Sequence, residues 1–352
     1  MREPGPADRV RHVVVAHPFD AAGMKANAWE VLDLSAAGEL SRPNRTFTMG
    51  RAFMGEVAFT PDGKLGIAAQ EDGSLGIFKL DDVGVPTVLH ASFKGDFYAA
   101  RVVVAPNGLI YVLDTQWREN GGGIYELAID CDDNVMDKGL VAASKLPAAL
   151  EFTAGNHQVV AAVDISDSAM GKDVHMVTFG GPTVIASADA FADDMQIVGG
   201  STLTADGSAF LVGDISQYGT APNRVAVVPV TGTQLGTPYM IPNVEDPIAL
   251  YASPFADKVL VVSGFGDAMF TLTKQNGMYA ASGEVTYQGA KPQLPGGAVM
   301  IDRGMLRGLV LVAENLGVRK VEMYAAGTIV DRGMYSLGSG LVNTTGAIGV
   351  TP

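Results

Sequence analysis

Apolar and polar positions along this chain fall into blocks that recur about every fifty residues. Each block holds an apolar strand, a turn of the Pro-Asp-Gly type, a second apolar strand and a closing polar residue. The clearest copies are Glu56-Val57-Ala58-Phe59-Thr60-Pro61-Asp62-Gly63, Arg101-Val102-Val103-Val104-Ala105-Pro106-Asn107-Gly108 and Ser201-Thr202-Leu203-Thr204-Ala205-Asp206-Gly207. Looser copies surround Thr153, Ser253 and Ile301, and the chain ends in mid-motif at Gly346–Pro352. Taking Thr60, Ala105, Thr153, Thr204, Ser253, Ile301 and Thr351 as equivalent, the steps are 45, 48, 51, 49, 48 and 50 residues. The strands predicted after the turns are 11–16, 65–69, 109–113, 158–163, 209–213, 258–262 and 309–313. All are nearly continuous runs of Val, Leu and Ala, as strands buried on both faces require. The strands that follow alternate more (75–80, 124–129, 224–230). A fourth strand in each unit is more polar and belongs at an outer rim, as at 44–48.

A period near fifty with four short strands per unit predicts an all-β, seven-bladed β-propeller. The single domain would span 1–352, with blades at 10–50 plus 346–352, 52–97, 98–145, 146–195, 196–244, 245–291 and 292–345. The first unit has no innermost strand of its own, while Gly346–Pro352 supplies one with no partner to follow. The C-terminal strand is therefore expected to complete the N-terminal blade and close the ring, leaving no free sheet edge.

Composition narrows the function classes. Hydrophobic residues make up 47% and charged residues 18% of the 352, and the net charge is −14. No Lys and Arg cluster offers a phosphate-backbone footprint, so nucleic acid is not an expected partner. No apolar run is long enough for a membrane helix, so membrane insertion is not expected either. Cys131 is the only cysteine, which excludes an intramolecular disulfide and leaves the compartment open. The first residues carry no apolar signal-peptide core, and the lean is to an exported protein, periplasmic or extracellular, whose leader is absent from this chain.

The repeats resemble those of WD-repeat-like and YVTN/lactonase-like propellers along essentially the whole chain. That resemblance implies a ligand face made by the connections at the ends of the second strands. Those connections look long in blade one (17–28), three (114–123), four (164–174) and five (214–223). They carry three aromatics, Phe19, Trp117 and Tyr218, and Trp117 stands beside Arg118 and Glu119. Aromatic and Arg side chains on exposed loops suit recognition of a protein, peptide or glycan. Phe19, Trp117, Arg118, Glu119 and Tyr218 are thus the candidate ligand contacts of a binding scaffold.

The residues closing the second strands are His17, Gln70, Asp114, Asp164, Asp214, Ser263 and Glu314. Asp114, Asp164, Asp214 and Glu314 form an acidic arc that could hold a divalent cation such as Ca²⁺. This supports the alternative of a metal-assisted hydrolase or lactonase at the central channel. The competing explanation is local: Asp ends strands by bonding its own following backbone. No catalytic residue can be named from the order of residues alone.

Overall fold

In a computed structural model of the chain, all residues are described except 1–8, 115–121, 131, 143–146, 154–157, 164–172, 179–182, 192–197, 216–222 and 265. The described strands form seven antiparallel sheets, six of them running inner to outer in chain order and the first beginning with the C-terminal strand Ile348–Val350. The second sheet is typical, with Ala58–Phe59, Leu65–Ala69, Leu75–Leu80 and Pro86–Phe93. The fifth sheet adds Tyr239–Pro242 as a further strand against Arg224–Thr231. No α-helix occurs among the described residues, and no helix there is long and apolar enough to cross a membrane.

The repeated turn explains itself chemically. Gly63 N–H donates to Thr60 O at 2.7 Å, Thr60 Oγ1 donates to Asp62 Oδ1 at 2.6 Å, and Lys64 N–H donates to the same oxygen at 3.0 Å. Gly63 sits at φ 71°, the left-handed position that closes such a hairpin and that glycine adopts without strain. Thr204, Asp206 and Gly207 repeat the pattern, with Gly207 N–H to Thr204 O at 2.8 Å. The hydroxyl of Thr204, then the N–H of Ser208, hold the Asp206 carboxyl far below the usual carboxylate range.

Packing explains why the second strands are apolar throughout. Along Arg11–Phe19, Val13 and Val15 join a cluster with Leu311 and Val318 of the seventh sheet. Val14 and Ala16 join Phe59 and Ala68 of the second sheet instead. The two-residue period thus sends alternate side chains to different neighbours, and a strand between two sheets has no polar face. Phe210 and Val212 likewise face the fourth sheet, while Ala209 and Leu211 face the sixth. Among the described residues there are seven such clusters, one for each pair of adjacent sheets, the seventh with the first included.

The C-terminus makes the last join. Ile348–Val350 pairs antiparallel with Val13–Val15 as the innermost strand of the first sheet. Val57 N–H of the second unit donates to Ile348 O at 2.8 Å, so this strand also touches its neighbour through backbone. The approach is close enough to demand glycine: a Cβ on Gly349 would lie 2.3 Å from Val57 O.

One expected loop is mostly strand. In blade one the hairpin continues through Phe19, which pairs with Lys25, so only Asp20–Met24 form the turn. Asp20 Oδ1 accepts from the N–H groups of Ala22 and Met24, both at 2.9 Å, and so fixes a tight turn at the tip of a projecting ribbon. The other three connections expected to be long, with Trp117, Arg118, Glu119, Asp164 and Tyr218, fall on residues outside the described set.

Candidate functional site

Ionic partners within the blades account for two of the four expected metal ligands. Asp214, fully buried, accepts from Arg224 Nε at 2.8 Å, and the two are direct cross-strand partners in the hairpin. Glu314 meets Arg319 at 3.0 Å, and the same guanidinium reaches Asp331 at 2.7 Å. Burial raises the Glu314 carboxyl, and the Arg319 charge and the Gln293 N–H pull against it. Asp114 is fully buried at the end of its strand, and Asp164 lies outside the described residues.

Among the described residues no three His, Cys, Asp or Glu side chains gather as a metal ion would need. The reason is geometric. Neighbouring sheets stand about 10 Å apart, whereas two oxygens sharing one Ca²⁺ lie within about 5 Å. Four of the strand-end groups instead find partners inside their own blade: Asp214 and Glu314 as above, and His17 and Gln70. His17 meets Glu30 at 3.1 Å, and Gln70 accepts from Ser74 and donates to Ala91 O. Glu30 is almost fully buried, which alone would raise it, but hydrogen bonds from His17 and Arg42 hold its carboxyl below the usual range.

Phe19 belongs to a different constellation. Its ring meets Phe53 edge-on at 5.8 Å between centroids. The Arg51 guanidinium lies 5.3 Å from the first ring and 5.2 Å from the second. Arg51 is itself fixed by donation to Pro18 O at 2.9 Å and by an ion pair with Glu71. Apolar neighbours extend the surface: Phe53 is 38% and Met54 40% exposed, and Leu341, 50% exposed, lies over Gly23 at the ribbon tip. Scattered exposed apolar residues are ordinary, whereas an aromatic pair braced by a cation has the composition that recognition surfaces use.

Three residues beyond Phe53 the chain turns into the ring with Glu56, and a second polar group begins there. Glu56 and Arg101 line a cavity of about 230 Å³ between the innermost strands, together with Ala58, Val103, Val299 and Asp302. Burial pushes the Glu56 carboxyl up to about 7, against the pull of Arg101. Glu151 is raised by burial too, while Arg101 and a 2.7 Å hydrogen bond from Ser201 Oγ oppose it. Across the ring the Tyr251 phenol is raised far above its ordinary value by burial and then by the Glu56 charge. Groups from the second, third, fourth and sixth units thus share one electrostatic environment.

The carboxyl shift has a measurable sign. Glu56 titrates near 4.5 when unfolded and near 7 when folded, so its contribution is full below 4.5 and is lost as pH rises towards 7. Glu56→Gln should raise the melting temperature at pH 8 and leave it nearly unchanged at pH 4.5. An equal change at both pH values would show that Glu56 is not desolvated in the folded state.

None of these four residues was among the candidates that the sequence singled out, although Glu56 and Arg101 stand in the clearest copies of the repeat. Glu56 and Arg101 stand four positions before Thr60 and Ala105, and Glu151 and Tyr251 stand two before Thr153 and Ser253. Even offsets share one face of a strand. Polar residues on that face of otherwise apolar inner strands were the available signal.

No family model matches the chain, and no curated protein matches it either. Solved structures do. A candidate 6-phosphogluconolactonase from Bacteroides fragilis superposes with a TM-score of 0.64 at 12% identity, covering 99% of this chain and 100% of its own. One from Bacteroides uniformis gives 0.65 at 10% identity, covering 97% and 99%. Sqt1 of Chaetomium thermophilum, bound to the N-terminus of the ribosomal protein L10, gives 0.59 at 11% identity, covering 95% and 86%. The fold is a β-propeller with four-stranded antiparallel blades. At these identities the likeness extends to the fold alone, and function has to be argued from the propeller's own surfaces.

Proposed function

We propose that this chain is a seven-bladed propeller scaffold that recognises a protein or peptide partner on the face formed by the second-strand ends. The observation that carries this is the Phe19–Arg51–Phe53 group. Two aromatic rings and a cation already fixed in place can dock an apolar side chain with little loss of conformational freedom, the composition typical of binding hot spots. Trp117, Arg118, Glu119 and Tyr218, which lie outside the described residues, are the further contacts this reading expects. Support also comes from Sqt1, a propeller of similar fold that engages a peptide N-terminus.

Peptides selected from a displayed random library against the whole propeller should bind it and lose at least about tenfold in affinity on the Phe19→Ala/Phe53→Ala variant, about 1.4 kcal/mol or more. Equal affinity for both proteins would remove this face from the account.

A further inference from the structure

The central cavity carries a second assignment that is independent of any partner on the rim. Arg101 and Glu56 have opposite charges and line the same space of about 230 Å³. Yet among the described residues the Arg101 guanidinium and the Glu56 carboxyl form no ion pair and no hydrogen bond, with each other or with a third group. Elsewhere in this protein buried or half-buried opposite charges are in contact, as in Arg224 with Asp214 and Arg319 with Glu314. Both groups instead line the cavity unpaired with each other, a cation with five donors and an acceptor with two oxygens.

We propose that the central channel binds a small zwitterion of the α-amino-acid class, its carboxylate on Arg101 and its ammonium group on Glu56. A planar guanidinium matches a carboxylate through two parallel hydrogen bonds, and a carboxylate accepts from an ammonium group. A simple anion would gain Arg101 but face Glu56 and Glu151. A simple cation would gain the carboxylates but face Arg101. Only a molecule with both charges satisfies both ends. Size agrees: at roughly 30 Å³ per water the space holds about eight waters, room for an amino acid with a short side chain. Tyr251 and Glu151 interact electrostatically with both Glu56 and Arg101, and Glu151 is kept in place by Ser201. Arg11 is committed to Thr351 O at 2.9 Å and Arg303 O at 3.0 Å, and Asp302 lines the wall.

The test uses the whole protein and thermal melting with glycine, L-alanine and L-serine at about 10 mM, with propionate and ethylamine as single-charge controls; a ligand held only by the folded state raises its melting temperature. At least one amino acid should raise it and neither control should. Calorimetric titration with that amino acid should give an affinity that weakens roughly tenfold per pH unit below about 7, as Glu56 takes up a proton. Groups facing Glu56 in that titration are Arg101, Glu151 and Tyr251, and burial raises the last two as it raises Glu56. Glu56→Gln, which should remain folded and gain stability at pH 8, should lose the shift, and so should Arg101→Met. A shift from propionate or ethylamine equal to that from the amino acids would replace the zwitterion with a single-charge ligand and overturn the assignment. It is equally overturned if none of the three amino acids shifts the melt, or if Glu56→Gln binds as the parent does.

Discussion

Removal of Gly346–Pro352 should abolish the cooperative unfolding of the entire ring. The segment is seven residues of 352, yet it joins three units. Ile348 is fully buried and Val350 nearly so, in the cluster between the first and seventh sheets. Each is worth about 1.5–3 kcal/mol when withdrawn from water. Backbone bonds add to this: Gly346 N–H to Ala16 O at 2.8 Å, Ala16 N–H to Ala347 O at 2.9 Å, Val57 N–H to Ile348 O at 2.8 Å and Thr351 N–H to His12 O at 2.9 Å. At about 1 kcal/mol net for each bond, the loss is on the order of 7–10 kcal/mol. Domains have about 5–15 kcal/mol in total. Calorimetry on the truncated chain should therefore show no sharp transition. A melt at the parent temperature would mean the first blade does not depend on its C-terminal strand.

Arg319→Ala should be the most damaging single substitution, costing about 3–5 kcal/mol. Arg319, Glu314 and Asp331 are all at most 3% exposed, and one guanidinium serves both carboxylates while also donating to Ala290 O at 3.0 Å. Without it two carboxyl groups remain buried with no cation, a far larger effect than the loss of a surface pair, which is worth about 0–1 kcal/mol. Burial already raises the Glu314 carboxyl and would raise it further without the Arg319 charge, so the deficit should shrink at pH 5 and grow at pH 8, the direction in which a raised carboxyl loses stability. Urea unfolding at the two pH values measures this. A deficit below about 1 kcal/mol, or one independent of pH, would contradict the buried-network account.

What could be read from the chain followed from burial on two sides. Strands 65–69 and 158–163 lie where the apolar runs predicted them, because a strand between two sheets leaves an unbroken apolar signal. The Thr-Pro-Asp-Gly turn was equally legible, since Thr60, Asp62 and Gly63 each have a local bonding duty. The partners of the strand-end carboxylates were not. Arg224 meets Asp214 because the hairpin register sets them opposite each other, and register was not visible behind a connection of unknown shape. Glu56, Arg101, Glu151 and Tyr251 come from four separate units, and only closure of the ring lets them act on one another. Phe19 was singled out as a loop aromatic and is instead the end of a strand, in contact with Phe53 from the next unit.

The most direct check on the proposed function is hydrogen–deuterium exchange of the propeller with and without a library-selected peptide. Partner recognition on the aromatic rim predicts slowed exchange in segments 18–24, 51–54 and 341–343. Protection confined to the repeated turns at 60–63, 105–108 and 204–207 would place the partner on the opposite face and contradict it.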